Sequence, residues 1–423
     1  MTAEILSTGD ELRTGALIDS NGAWIAERLE AEGFEVLRHT TVGDDFGQLV
    51  QVLKEIGGRS DFAVVTGGLG PTTDDLTREA VAEAAGVELF RSEEAFTSLE
   101  GFFRDRNRTM RPSNLKQALL PETAVCIPNS RGSAPGFHLR IDRCLFFFLP
   151  GVPSEMKPML DESVLPEIRR SAGTGNRFSI IRTFRSFGLT ESSAGEKLEG
   201  FDHDFPDLKL GYRGCFPEIQ IKIYASGADE TVLRREVESA SAWIRERIGH
   251  KVFSENGDNI EKVVADLLRR QGATISVVEH GTGGLLSHTL TEVPGSGDFF
   301  HFSAVSSSIT VLREILSMTG SASDRISEDA AEATAREMAA VVREHSGATY
   351  GISAIDLTNS VPAAETESGS AGSKEAVLCV GLAGPEGAHA RMYRFSLFRP
   401  TVKKALFSMA ILNLLRKELI GKS

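Results

Sequence analysis

The stretch Thr66-Gly67-Gly68-Leu69-Gly70-Pro71-Thr72-Thr73-Asp74-Asp75 decides how this chain reads. It follows the apolar run Phe62-Ala63-Val64-Val65, the end of a buried strand. It precedes Leu76, Ala80, Val81 and Ala84, which recur at helical spacing. The predicted unit is a strand, a glycine-rich turn and a helix. Gly67, Gly68 and Gly70 carry no side chain to keep a ligand off the backbone. The N–H groups of the next helix's first turn can hold an anion. Asp74 and Asp75 at that positive end would repel a phosphate. They make chemical sense with a divalent cation between them and the phosphate. An acidic helix start is also favoured by the helix dipole alone.

Working outward, residues 3–7 read as a first strand that runs into Thr8-Gly9-Asp10-Glu11. Asp19-Ser20-Asn21 stands where a helix cap is expected, with Ile25 and Leu29 as the buried stripe. Gly33 closes that helix. Phe34-Glu35-Val36-Leu37 opens a second strand, which ends in Thr41-Val42-Gly43-Asp44-Asp45. A helix over residues 48–56 leads to the opening strand. This alternation predicts a parallel sheet covered on both faces. In such sheets the loops leaving the strands' carboxyl ends gather on one edge. Three of these loops carry paired acids: Asp10 and Glu11, Asp44 and Asp45, Asp74 and Asp75. Metal binding or recognition of ring and hydroxyl groups explains three acidic loops better than three unrelated solvated caps. Farther on, Asn114 and Lys116-Gln117-Ala118 precede Leu120-Pro121. The loop Asn129-Ser130-Arg131-Gly132-Ser133-Ala134-Pro135-Gly136-Phe137 brings backbone close to a ligand. Cys144-Leu145-Phe146-Phe147-Phe148-Leu149 is a fully buried strand that delivers the turn Pro150-Gly151-Val152-Pro153.

At 423 residues the chain is too long for one core, so two or three domains are expected. The formal charge is −13, with no basic run to follow a nucleic-acid backbone, which argues against nucleic acid as a partner. Cys126, Cys144, Cys215 and Cys379 match no zinc or thioredoxin spacing and read as buried thiols in a reducing compartment. The opening Met1-Thr2-Ala3-Glu4 is too quickly polar for a secretory signal, and no apolar run is long enough to span a membrane. A cytoplasmic location and no membrane partner are expected.

Five motifs now stand in order: Thr8-Gly9-Asp10-Glu11, Asp19-Ser20-Asn21, residues 67–75, Gly132-Ser133-Ala134-Pro135-Gly136 and Leu149-Pro150-Gly151-Val152-Pro153. In this order they resemble the competence/damage-inducible CinA family. The same domain is similar to the molybdopterin-binding domain of the molybdenum-cofactor proteins MogA and MoaB. The resemblance implies hydrolysis of ADP-ribose to AMP and ribose 5-phosphate, assisted by divalent metal (Mg, Co or Mn), with potassium in some members. Molybdopterin binding does not follow from shared ancestry of the site. On this reading Asp75, Asp74 and Glu11 are catalytic, and Asp44, Asp74 and Asp75 hold the metal. Gly9, Asp10, Asn21, Gly67, Gly68, Gly70, Thr72, Gly132, Pro135, Gly136, Pro150 and Gly151 bind the nucleotide.

Residues 178–185, 208–212 and 219–224 alternate as strands, Thr190-Glu191-Ser192-Ser193 starts a helix, and residues 229–248 form an amphipathic helix with Val232, Val237 and Ile244 on its apolar side. This module resembles the KH-like middle domain of longer CinA proteins. Its few basic residues favour a spacer or dimer contact over RNA binding.

In the last unit, Ala273-Thr274-Ile275-Ser276-Val277-Val278 is a buried strand ending in Glu279-His280-Gly281-Thr282-Gly283-Gly284. This resembles the CinA C-terminal domain, a nicotinamide-mononucleotide amidohydrolase in active members. The family motif is Glu-Ser-x-Thr-Gly-Gly, with serine as nucleophile; here that position is His280. The family's Tyr-Ser-Asn-x-x-Lys motif, whose lysine activates the serine, falls on Ser307-Ser308-Ile309-Thr310-Val311-Leu312. The base position is therefore Leu312. Arg313 cannot replace it, because guanidinium does not release its proton near neutral pH. The family's Gly-x-Ala-Gly-Pro loop is absent over residues 354–359, and residues 363–373 read as a flexible loop. Serine–lysine hydrolysis has no machinery here.

The expected architecture is α/β in three domains: residues 1–170, a MoaB/MogA-like three-layer domain with a mostly parallel sheet; 177–253, a small α+β domain; and 257–421, an α/β CinA domain lacking deamidase activity. The expected function is metal-dependent pyrophosphohydrolysis of a small nucleotide by a homodimer. The alternatives are a molybdopterin-handling protein and a non-enzymatic nucleotide sensor or scaffold.

Overall fold

The computed structural model describes residues 1–171, 178–318, 326–358, 374–397 and 400–421. Two compact units divide the chain: Met1–Ile180 with Ala225–Arg235, and Ile181–Tyr224 with Glu236–Ser423.

The first domain carries strands β1 (Thr2–Thr8), β2 (Glu35–Val42), β3 (Phe62–Thr66), β4 (Val125–Ile127), β5 (Gly136–Ile141) and β6 (Cys144–Leu149), in the order β2-β1-β3-β6-β5-β4. The β1–β2, β1–β3 and β3–β6 pairs are parallel; β5 and β4 run antiparallel at one side. Period-two alternation divides the core. Ala63 and Val65 of β3 pack with Leu49, Leu53 and Ile56 of helix α2 (Phe46–Arg59). Phe62 and Val64 pack with Ile25 and Leu29 of α1 (Ser20–Ala31) and with Met156 and Met159 of α4 (Pro153–Met159). Helix α3 (Thr77–Ala85) adds Ala80 and Val81 to the first cluster. The result is three layers, with both sheet faces buried. Asp19 caps α1 through Gly22 N–H at 2.8 Å, and Asp45 caps α2 through Gln48 N–H at 2.8 Å.

Residues 178–254 hold a four-stranded sheet, β8-β9-β7-β10, built from β7 (Phe178–Phe187), β8 (Leu208–Cys215), β9 (Glu218–Gly227) and β10 (Val252–Ser254). They also hold the long helix α5 (Glu230–Ile248). Val237 and Ile244 are buried as expected, whereas Val232 is 38% exposed and its neighbour Leu233 is buried. Leu233, Val237 and Ile244 share one helical face, so the predicted phase holds at Val237 and Ile244 and only the first position moves, from Val232 to Leu233.

The last region has helix α6 (Ile260–Gln271), strand β11 (Ile275–Glu279), helix α7 (Leu285–Thr291), strand β12 (Phe300–Val305), helices α8 (Ile309–Ile315) and α9 (Glu328–Ser346), strands β13 (Tyr350–Asp356), β14 (Lys374–Gly384) and β15 (Gly387–Leu397), and helix α10 (Lys403–Leu419). The sheet order is β12-β11-β13-β14-β15. The first three strands are parallel and β14–β15 is an antiparallel hairpin. Helices α6 and α10 cover one face and α8 and α9 the other. The predicted loop over residues 363–373 lies outside the described residues. Among the described residues no helix is long and apolar enough to cross a membrane.

Candidate functional site

In the first domain, Ser7, Thr66 and Leu149 form one row across β1, β3 and β6, with Thr41 of β2 beside Ser7. The loops leaving these strands therefore share one edge, around a cleft of about 700 Å³. The cleft brings together Gly9, Glu11, Asn21, Asp44, Gly67, Gly68, Gly70, Asp74, Asp75, Pro150 and Gly151, all identified from sequence. Asp10, Thr72, Gly132, Pro135 and Gly136 are not among its lining residues. Asp10 instead pairs with Arg13 at 3.0 Å on the exposed rim. Gly136 begins a strand, where a Cβ would stand 2.6 Å from the Phe148 carbonyl oxygen. A Cβ on Gly132 would strike the carboxylate of Glu155. Glu155 does line the cleft, held by Asn129 Nδ2 at 2.7 Å. Sequence reasoning missed it because a glutamate in a helix's first turn reads as dipole complement.

The glycines serve packing before they serve any ligand. Gly67 (φ +105°) and Gly68 (φ +64°) are left-handed. A Cβ on Gly67 would stand 2.5 Å from the Thr8 carbonyl oxygen, and one on Gly68 would collide with the Thr77 hydroxyl. Two of the turn's amides are also engaged: Gly67 N–H donates to Leu149 O at 3.1 Å and Gly70 N–H to Asp75 Oδ1 at 2.8 Å. Asp75 Oδ2 accepts from Thr72 N–H at 2.9 Å and from the Thr72 hydroxyl. These bonds close residues 70–75 into a loop of their own, so the helix begins at Thr77 rather than directly after the glycines. Lys116, to which the sequence assigned no role, straps this loop. Its Nζ donates to the carbonyl oxygens of Asp75 at 2.6 Å and Thr72 at 3.3 Å, and pairs with Glu79 at 3.1 Å. Asp74 and Asp75 are thus not equivalent. Asp75 is engaged through both oxygens, and Asp74 is exposed.

Six carboxylates line the cleft (Glu11, Asp19, Asp44, Asp74, Asp75 and Glu155), and no Lys, Arg or His is among the described lining residues. Asp19 is engaged by Ser7 Oγ at 2.6 Å and by the cap bond. Burial, and then the charges of Asp10, Glu11 and Asp74, push the Asp44 carboxyl above the ordinary carboxylate range, although the Asp10 amide donates to it at 3.1 Å. The Thr72 hydroxyl, Asp74's own backbone amide and the Lys116 charge hold Asp74 below that range. Asn21 Nδ2 donates to Gly151 O at 2.7 Å, and its buried Oδ1 has no partner among the described residues. Among the described residues no three His, Cys, Asp or Glu side chains converge into a ready-made metal shell. Behind the loop, Arg78 is 1% exposed and, among the described residues, its three guanidinium nitrogens have no hydrogen-bond partner. Burial lowers its pKa to about 10.

The corresponding turn in the last region follows β11, whose Glu279 lies in register with Val305 and Ala354. Glu279 is fully buried. Its carboxylate accepts from Thr282 Oγ1 at 2.5 Å, Leu286 N–H at 3.2 Å, Ser287 N–H at 2.9 Å and the Ser287 hydroxyl. His280 Nδ1 accepts from Asp356 N–H at 3.2 Å. The Asp356 carboxylate pairs with Lys403 at 2.5 Å and accepts from Thr358. Leu312 is wholly buried in the core under α8 and α9. Gly384-Pro385 sits in the β14–β15 hairpin.

Residues 4–170 match the family described as probable molybdopterin binding domain, residues 181–254 the damage-inducible protein CinA KH domain, and residues 257–419 the CinA C-terminal domain. A CinA-like protein of Desulfosudis oleivorans is 40% identical over 99% of this chain and 100% of its own length. One from Geobacter metallireducens is 37% identical over the full length of both. The crystal structure of a CinA protein of unknown function from Thermoplasma acidophilum is 31% identical, covering 39% of this chain and 96% of that one, with a TM-score of 0.37. The chain belongs to the CinA family, with a first domain that matches the probable molybdopterin binding domain.

Proposed function

We propose that the first domain hydrolyses the diphosphate of ADP-ribose or a related nucleotide, releasing AMP, with a divalent cation in the cleft, and that the last region does not deamidate nicotinamide mononucleotide. The observation that supports this is the charge of the cleft: six carboxylates and no cation among the described lining residues. A diphosphate needs counter-charge to enter such a site. The donors are hard oxygens, which fit Mg²⁺, Mn²⁺ or Co²⁺. We assign the cation to Asp74 and Asp44, since Mg²⁺ is commonly held by one or two carboxylates plus substrate phosphate oxygens. When bound, the cation offsets phosphate charge and lowers the pKa of an attacking water. Asp75 positions the loop rather than the metal. The amides of Gly68 and Leu69 take a phosphate oxygen. Glu11, on the cleft wall, accepts ribose hydroxyls. We carry a homodimer as part of the same proposal; light scattering at twice 45.7 kDa checks it.

Calorimetric titration of ADP-ribose tests the metal-bridged reading. Binding in Mg²⁺ that disappears in EDTA is expected. Equal binding in both would overturn it. The match of residues 4–170 to a probable molybdopterin binding domain favours a second reading, in which the cleft holds a pterin without turnover. That reading predicts pterin binding that persists in EDTA.

A further inference from the structure

The acidic chain has a second large cavity of opposite character. About 630 Å³ in volume, it lies where α5 and α10 end, lined by Arg245, His250, Val252, Arg416, Lys417 and Ile420, with Glu255. Sequence reading found no basic cluster because Arg245 and His250 lie more than 160 positions from Arg416 and Lys417 in the chain.

Arg245 pairs with Glu255 at 2.8 Å and with Glu238 at 3.2 Å, so it adds no surplus positive charge. Arg416 is different. It is 9% exposed, and its Nε donates to the neutral amide oxygen of Asn413 at 3.1 Å. Among the described residues no carboxylate lies within salt-bridge distance of the adjacent Lys417, and Lys251 and Arg391 are close enough to act on its charge. Burial first, then those three cations, hold Lys417 below the ordinary lysine range. Two helix C-termini face the cavity, which accounts for some positive charge. Each carries only about half a negative charge. Arg416, Lys417, Lys251 and Arg391 exceed that even with His250 neutral. A buried guanidinium without an anionic partner is strongly disfavoured, so this arrangement calls for an anion.

We propose that this cavity binds a phosphate monoester of about mononucleotide size, with its phosphate on Arg416 and Lys417 and its carbon body against Val252 and Ile420. The volume falls within the usual range for small-molecule sites. A dianion matches the surplus charge.

The test uses the full-length protein in EDTA, where the acidic cleft of the first domain lacks counter-charge for a phosphate. AMP, adenosine and inorganic phosphate are titrated calorimetrically. The expected result is saturable AMP binding, no adenosine binding and at least tenfold weaker phosphate binding. Lys417→Gln, at a half-buried site, weakens AMP by about tenfold, the loss of one charge-assisted contact. Arg416→Met weakens it further, while Asp74→Asn leaves it unchanged. Absence of AMP binding in EDTA, AMP affinity unaltered by Lys417→Gln, or phosphate binding as tight as AMP would each overturn the proposal. None of these outcomes bears on metal-dependent binding at the first-domain cleft.

Discussion

The turns at residues 66–75 and 279–284 solve the same structural problem with opposite consequences. Each leaves the carboxyl end of a central parallel strand, uses left-handed glycines and leads to a helix. Each is held by one carboxylate: Asp75 in the first, Glu279 in the second. The difference lies in what remains after the backbone is satisfied. Around the first turn, Asp44, Asp74 and Glu11 still face a cleft. Around the second, the family's nucleophile position is His280, which accepts the Asp356 amide, and its base position is core Leu312. A strand–turn–helix edge is scaffold; chemistry depends on polar groups the scaffold does not use.

The comparison breaks most sharply at Asp74. Asp74→Asn should lower metal-dependent AMP release by at least about 100-fold and leave the thermal unfolding midpoint essentially where it was, because Asp74 is exposed. His280→Ser, which restores the family serine, should give no measurable conversion of nicotinamide mononucleotide to its acid, since no base accompanies it. Appearance of that activity would erase the distinction between the turns.

Stability separates the turns next. Gly68→Ala meets both a left-handed φ and the Thr77 hydroxyl and should cost about 2–4 kcal/mol by denaturant unfolding. Gly284→Ala meets only the φ penalty, with Val305 no closer than 3.8 Å, and should cost about 1–2 kcal/mol. Two buried charges extend the contrast. Glu279→Gln disturbs four accepted hydrogen bonds and should cost about 2–4 kcal/mol, whereas Arg78→Met removes an unpartnered charge and should be neutral or stabilising.

The smallest effect concerns Asp44. Its folded carboxyl titrates above the ordinary range, so the folded state binds the proton more tightly than the unfolded chain does. Metal-free stability therefore rises as pH falls through the folded pKa towards the unfolded one. Asp44→Asn should raise metal-free stability at pH 7 by a few tenths of a kcal/mol, a gain that vanishes near pH 4. Thermal unfolding in EDTA at the two pH values measures it.

Much of this was legible in the sequence. The alternation of Ala63 and Val65 with Phe62 and Val64, the caps at Asp19 and Asp45 and the positions of three acidic loops follow from local periodicity and capping chemistry. The domain order followed from motif resemblance. What was not legible depends on contacts distant in sequence. Lys116 reaches the loop from 41 residues away. Asp75 reads as a ligand until Gly70 and Thr72 are seen to donate to it. Gly132 and Gly136 read as ligand contacts, yet their missing side chains make room for Glu155 and Phe148. The 420s end of the chain meets the 250s in a cavity that no local pattern announces.

The central claim is that the first turn retains chemistry the second has lost. The full-length protein, given ADP-ribose with Mg²⁺, Mn²⁺ or Co²⁺ in turn and with EDTA as control, tests this by quantified AMP release. The account predicts AMP with at least one cation, none in EDTA, and near-complete loss in Asp74→Asn. No AMP with any cation, or undiminished release from Asp74→Asn, would contradict it.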